Sequence, residues 1–132
     1  MNTTNQKINE NLVIATNYYR EMLGKNFDAM ERYLHPDVLF IGPLAEMSGK
    51  AAVVSAAKNL SQILLDIKIR AKFATGEQIM LAYDFMFPEP IATLRSAVLM
   101  GFTDHLIAKI ELFYDASPFA GKENKIFSKK ED

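Results

Sequence analysis

Residues 33–43, YLHPDVLFIGP, carry the chain out of a helix, through a stop signal and into a buried strand. Pro36 forces His35 out of the helical region, so the helix that buries Leu34 ends here. Val38 to Ile41 is a short run of strand formers, and Gly42-Pro43 breaks it. The junction divides the chain into a helical part before it and, one helix later, a part made of strands.

Upstream, Thr3 and Gln6 have capping-box spacing, which starts a helix. Ile8, Leu12, Ala15, Tyr19 and Met22 recur at steps of three and four, with Tyr18 on the flank of the stripe, until Gly24 offers a left-handed stop. Asn26 caps a second, shorter helix that buries Phe27, Met30 and Leu34, with Asp28 favouring its positive end. Downstream of the junction, Ser48 caps a third helix over Gly49–Leu64, which carries Val53, Ala56, Ala57, Leu60 and Leu64 on one side.

From Asp66 the periodicity changes to two. Ile67, Ile69, Ala71 and Phe73 alternate with Lys68, Arg70 and Lys72, the pattern of a sheet with one buried and one wet face. Gly76 turns the chain into Gln78–Phe87, and Pro88-Glu89-Pro90 turns it into Thr93–Thr103. Asp104-His105 then leads into Leu106–Asp115, where Ala108, Ile110, Leu112 and Tyr114 point inward. Helices followed by four long antiparallel strands predict an α+β fold, the helices covering one face of the sheet. The two middle strands are apolar on both faces. Nothing within one small domain is left to cover the second face, so a homodimer burying Tyr83, Phe85, Ala97 and Leu99 is expected.

Composition sets outer bounds. The 132 residues are 49% hydrophobic and 23% charged, the balance of one ordinary globular domain, assigned to residues 1–119. The tail 120–132, AGKENKIFSKKED, reads as a polar, flexible end. Fifteen basic and sixteen acidic side chains leave a net charge of −1, which argues against nucleic acid as a partner. The absence of cysteine removes disulfides and thiolate chemistry. A polar N-terminus, and no apolar run near the ~20 residues of a membrane span, lead to the expectation of a cytoplasmic protein with no membrane partner.

Helix, short helix, YLHPDVLFIGP, a GK-started helix and the closing hairpin TDHLIAKIELFYDASP together resemble the SnoaL-like branch of the NTF2-like superfamily, over roughly Gln6 to Phe119. The resemblance implies a cystatin-like cone, three N-terminal helices packed on a curved, mainly antiparallel sheet around a conical pocket. It also implies a dimer. The superfamily includes ketosteroid isomerases, polyketide cyclases, epoxide hydrolases and non-catalytic members. Laid against the isomerase pattern, the first-helix tyrosine falls on Tyr18, the base aspartate on Gly42 and the second acid on Val98. Glycine and valine exchange no proton, so that mechanism is excluded in its usual form.

Asp84 is the sharpest polar anomaly, alone in the apolar run MLAYDFMF. With Pro88–Ala92 as the hairpin loop, it pairs with Ser96 and shares a face with Met80, Ala82, Met86 and Val98. That is the cavity face, where burial would disfavour the charged carboxylate and suit it to general acid–base work. Against this stands a carboxylate satisfied by Ser96, Tyr18 or a backbone amide. The resemblance places Tyr18 and Tyr114 in the cavity as well, where either phenol could donate to a ligand carbonyl. Met22, Met80, Met86 and Met100, with Phe40, Ile110 and Leu112, would form an adaptable apolar wall, or ordinary core. His35 reads as a helix-end histidine and His105 as a turn residue. Two isolated histidines argue against a metal, and no cofactor is expected.

Three functions remain open on these grounds. One is a small-molecule enzyme of isomerase, cyclase or hydratase type, in which Asp84 moves a proton and Tyr18 or Tyr114 steadies an oxyanion. The second is a non-catalytic module that holds a small apolar molecule or recruits a protein. The third is a purely structural assembly role through the two-sided sheet.

Overall fold

The computed structural model describes residues 3–119, with side chains from Gln6 onward. The Thr3 cap and the flexible tail expected over 120–132 lie outside the described side chains and residues. The elements are α1 (Thr3–Leu23), α2 (Phe27–Glu31), β1 (Leu34–Ile41), β2 (Glu46–Ser48), α3 (Lys50–Ser61), β3 (Asp66–Thr75), β4 (Gln78–Met86), β5 (Thr93–Thr103) and β6 (Leu106–Tyr114), closed by a 3₁₀ turn at Ser117–Phe119. The strands form one sheet in the order β2-β1-β6-β5-β4-β3. It is mixed, because β1 runs parallel to β6 while the other pairs are antiparallel.

The stripe read on α1 is the face that packs on the sheet, with Ala15, Tyr18, Tyr19 and Met22 all buried. The helix ends in a Schellman arrangement: Asn26 N–H bonds to the Glu21 carbonyl at 2.9 Å and Lys25 N–H to Met22 at 3.1 Å. The left-handed residue is therefore Lys25, at φ 61°, not the expected Gly24. The second helix is shorter than its sequence pattern suggested. It stops at Glu31, and Leu34 opens β1 instead of closing the helix. Pro36 thus lies inside a strand, at the irregularity between Leu34 and Leu39 in the β1–β6 ladder, where its missing N–H is not needed. Ser48 belongs to β2, a three-residue strand too short to show a period, and Gly49 at φ 92° takes the cap position of α3.

Strand boundaries follow the punctuation closely, but three registers differ from expectation, one of them at a bulge between Gly101 and Phe102 in the β5–β6 ladder that sets the fully buried Ile107 where alternation puts Ala108. In β3 a bulge between Ile69 and Ala71 reverses the alternation, so Phe73 pairs with Met80 on the outer face and is 61% exposed. In the β4–β5 hairpin the Phe87 amide donates to the Ala92 carbonyl at 2.8 Å, which leaves a four-residue loop, Pro88–Ile91, in place of five. A shift of one residue turns every side chain of β4 to the other face. Tyr83, not Asp84, stands opposite Ser96, and Asp84 stands opposite Arg95. The concave face of β4 is therefore Ile79, Leu81, Tyr83 and Phe85, each buried. Asp84, Met80, Ala82 and Met86 lie on the convex face, contrary to expectation. For the same reason Tyr83 and Phe85 belong to the core, and of the expected second-face set only Ala97 and Leu99 point outward.

Two side-chain contacts tie the first turns of α1 to hairpin turns at one end of the sheet, the Lys7–Glu77 ion pair at 2.5 Å and Glu10 Oε1 against His105 Nδ1 at 3.3 Å. Asp104 and His105 both have positive φ, 54° and 63°, as a two-residue type I′ turn requires. Among the described residues no helix is long and apolar enough to cross a membrane.

Candidate functional site

Between the helices and the concave sheet lies a space of about 430 Å³, part of it open to solvent. Its roof comes from α1 through Tyr18, Tyr19 and Met22, and from α3 through Val53, Ala56, Ala57 and Leu60. Its floor is Phe40 of β1, Phe85 of β4, and Ile110 and Leu112 of β6. Small residues make the room: where α3 crosses the sheet it presents Ala56 and Ala57, and nothing larger fills the gap they leave. A second space of about 340 Å³ adjoins the first across Leu60, Phe85 and Leu112. It is lined further by Phe87, Leu94, Ser96 and Tyr114, and Phe119 of the closing turn reaches in beside them. The Phe119 ring meets Phe87 at 5.7 Å and Tyr114 at 5.9 Å, both edge-on.

Polar groups at these spaces are few. Tyr83 Oη donates to Tyr19 Oη across 2.9 Å, and the two rings meet edge to face at 4.9 Å. Tyr18 lies edge-on to Tyr19 at 5.0 Å. Burial pushes the Tyr18, Tyr19 and Tyr83 phenols well up from their ordinary value, and the neighbouring phenols push Tyr18 and Tyr83 further. The Tyr114 phenol is pushed up to about 12 by burial alone. Ser96 Oγ donates back to the Leu94 carbonyl at 3.3 Å.

The structure thus brings together Tyr18, Met22, Phe40, Ile110 and Leu112 around the first space, and Ser96, Leu112 and Tyr114 around the second. Val98 and Met100 face the same side but are fully buried in the core and line neither space. Asp84, Met80 and Met86 are absent from both walls, being on the convex face. Asp84 Oδ1 is instead 3.4 Å from Arg70 Nη1, with the arginine at the β3 bulge. Sequence reasoning missed the Tyr19–Tyr83 pair. Tyr83 sits in the same apolar run as Asp84, and only the hairpin register decides which of the two enters the cavity.

Gly42 sits at the end of β1 with the Phe40 ring against it: a Cβ at Gly42 would lie 3.2 Å from Phe40 Cε1. An aromatic ring therefore occupies the space beside the position to which the resemblance assigns a base. His35 accepts from the Asp37 amide through Nδ1 at 3.0 Å, a local turn contact. Among the described residues no group of three or more histidine, cysteine, aspartate or glutamate side chains is placed to hold a metal ion.

A helix-roofed cone over a curved mixed sheet is the NTF2-like, cystatin-like architecture. Residues 15–110 match the sequence profile of the SnoaL-like domain, and the chain belongs to that family. No curated protein matches it. Among solved structures it is similar to an NTF2-like protein of unknown function from Cytophaga hutchinsonii, at 17% identity and TM-score 0.72, over 81% of this chain and 91% of that one. A steroid delta-isomerase from Pseudomonas aeruginosa aligns at 16% identity and TM-score 0.72, over 89% and 88%. A de novo designed protein with a curved β-sheet aligns at 16% identity and TM-score 0.80, over 90% and 95%. At these identities the likeness concerns the fold, and the designed relative illustrates how far fold and activity are separable.

Proposed function

We infer that this chain binds a small, uncharged, apolar molecule in the space beneath α1 and α3, without proton-transfer chemistry of its own. The observation that carries the reading is the make-up of the wall. Around both spaces, among the described residues, every lining side chain is apolar, phenolic or a serine, and none is a carboxylate, imidazole or ammonium. General acid–base catalysis needs a group that exchanges its proton near the working pH. Phenols kept neutral by burial donate hydrogen bonds but do not serve as bases at neutral pH. Asp84, the acid on which an isomerase- or cyclase-type reading depends, is held by Arg70 on the other side of the sheet. The steroid isomerase among the structural neighbours lends the fold, while Gly42 and Phe40 stand where a base would have to act.

The test is thermal unfolding in the presence of a neutral two-ring compound such as 2-acetylnaphthalene. A ligand that binds only the folded chain raises Tm with its concentration. Ala56→Trp, which fills the roof, abolishes that rise if the ligand sits where proposed; an undiminished rise in the variant contradicts the reading.

The convex face is the proposed contact with a second copy of the chain. What supports this is its outward apolar row of Met80, Ala82, Met86, Ala97 and Leu99, continued by Phe113 at 45% exposure. The same face carries charges of both signs. Arg95 has no ion-pair partner among the described residues, and Glu111 stands across from Leu99, so a two-fold axis can pair unlike charges around an apolar centre.

A further inference from the structure

The second space continues the first along β6. Successive concave residues of that strand line the two in turn, Ile110 and Leu112 the first space, Leu112 and Tyr114 the second. Strand β4 repeats the order, with Phe85 at both spaces and Phe87 at the second. At about 3.4 Å per residue, the track from Ile110 to Tyr114 is roughly 14 Å long. Leu60 from the roof, with Phe85 and Leu112 from the floor, belongs to both walls, and these three side chains form a waist between the spaces.

Phe119 closes the far end. Its ring is 2% exposed and stands edge-on to Phe87 and to Tyr114. The turn that delivers it is fastened by Asp115, whose Oδ1 accepts from the Ser117 amide at 3.0 Å and the Ser117 hydroxyl at 2.7 Å. The Phe119 amide donates to the Ala116 carbonyl at 2.9 Å. An aspartate that binds the backbone two residues on holds a short turn in one shape, so the ring is a fixed end wall. Only Ser96 and Tyr114 bring polar side-chain atoms to the second space among the described residues, and the Ser96 hydroxyl is already engaged by the Leu94 carbonyl.

Shape then restricts the ligand. A rigid ring system that fills the first space stops at the waist, whereas a flexible chain passes it one methylene at a time and buries each in apolar surroundings beyond. We propose that the pocket takes an unbranched alkyl chain that runs from the first space through the waist into the second, with Phe119 setting the longest chain that fits. The proposal rests on the pocket-binding reading above and adds the shape class of the ligand and the residue that measures its length.

The experiment titrates n-alkanols from butanol to dodecanol into the full chain and into Phe119→Ala, Ser96→Leu and Ala56→Trp. Affinity is expected to rise roughly fourfold per methylene and to level off at the chain length that meets Phe119. The plateau moves to longer chains in Phe119→Ala, which removes the end wall, and to shorter ones in Ser96→Leu, which narrows the second space. A general loosening of the fold would weaken all members of the series and leave the plateau at the same length. If either variant does not fold, ¹³C-labelled leucine methyls of the wild type read the same contact: Leu94, which lines the second space and not the first, moves at saturating decanol. A plateau at one chain length in the wild type, Phe119→Ala and Ser96→Leu, or Leu94 methyls unmoved by decanol, overturns this inference; the pocket reading survives that result if Ala56→Trp still abolishes binding. Alkanols that bind Ala56→Trp unchanged overturn both.

Discussion

Asp84 Oδ1 lies 3.4 Å from Arg70 Nη1, on the face of the sheet turned away from the helices. The Asp84 side chain is 14% exposed and the arginine 46%, so water screens the pair and its contribution to stability is small. Asp84→Asn is expected to cost less than about 1 kcal/mol in urea unfolding. It should leave ligand affinity within a factor of two of the wild type. A tenfold loss of affinity in this variant would return the acid to the pocket and undo the register described above.

Tyr83 is the deepest polar side chain beside the pocket. Tyr83→Phe keeps the ring and removes the bond to Tyr19, which is expected to lower stability by roughly 0.5–1.5 kcal/mol. Tyr83→Ala removes the ring as well and leaves a cavity, so its cost should be about 3–5 kcal/mol. Urea midpoints of the two variants, at unchanged m-value, separate the hydrogen bond from the packing.

The buried phenols also fix the response to alkali. Tyr18, Tyr19, Tyr83 and Tyr114 all have folded-state values above the ordinary 10.0. Unfolded chains therefore lose these protons first. The stabilisation is complete below pH ~10 and is lost as pH rises toward the folded values. In a Tyr33→Phe background, phenolate absorbance near 295 nm should rise together with loss of the circular dichroism signal. Ionisation of all four groups with the fold intact would contradict the burial.

Leu99 lies on the convex row. In light scattering coupled to size exclusion, the chain is expected to run at twice its 14.9 kDa, and Leu99→Glu to run as a monomer. A monomeric wild type would remove the proposed partner.

Much of the fold was legible because its punctuation is strong. Gly76, Pro88 and the Asp104-His105 pair set the strand ends to within one residue, and the 3.6-residue stripe of α1 identified the face that roofs the pocket. The β5 and β6 contributions to the concave face, Ser96, Val98, Met100, Ile110, Leu112 and Tyr114, follow from simple alternation. The errors trace to places where alternation breaks or has to be counted through a loop. At the β3 bulge Phe73 changes sides, and one residue in the Pro88–Ile91 loop exchanges Asp84 for Tyr83. Strand β4 is apolar on both faces apart from Gln78 at its start and Asp84; both lie on the convex face, and in the sequence Asp84 reads as a cavity acid instead of as a mark of the outer face. β2 was invisible because three residues carry no period.

The claim that the pocket beneath α1 and α3 binds ligand is tested most directly with the methionine methyl groups. Among the seven methionines, Met22 lines that pocket, while Met80 and Met86 lie on the convex face. In a protein labelled with ¹³C at the methionine methyls and titrated with 2-acetylnaphthalene, the Met22 resonance is expected to move with saturation while Met80 and Met86 stay in place. Shifts at Met80 and Met86 with Met22 unmoved would put the ligand on the outer face and contradict the account.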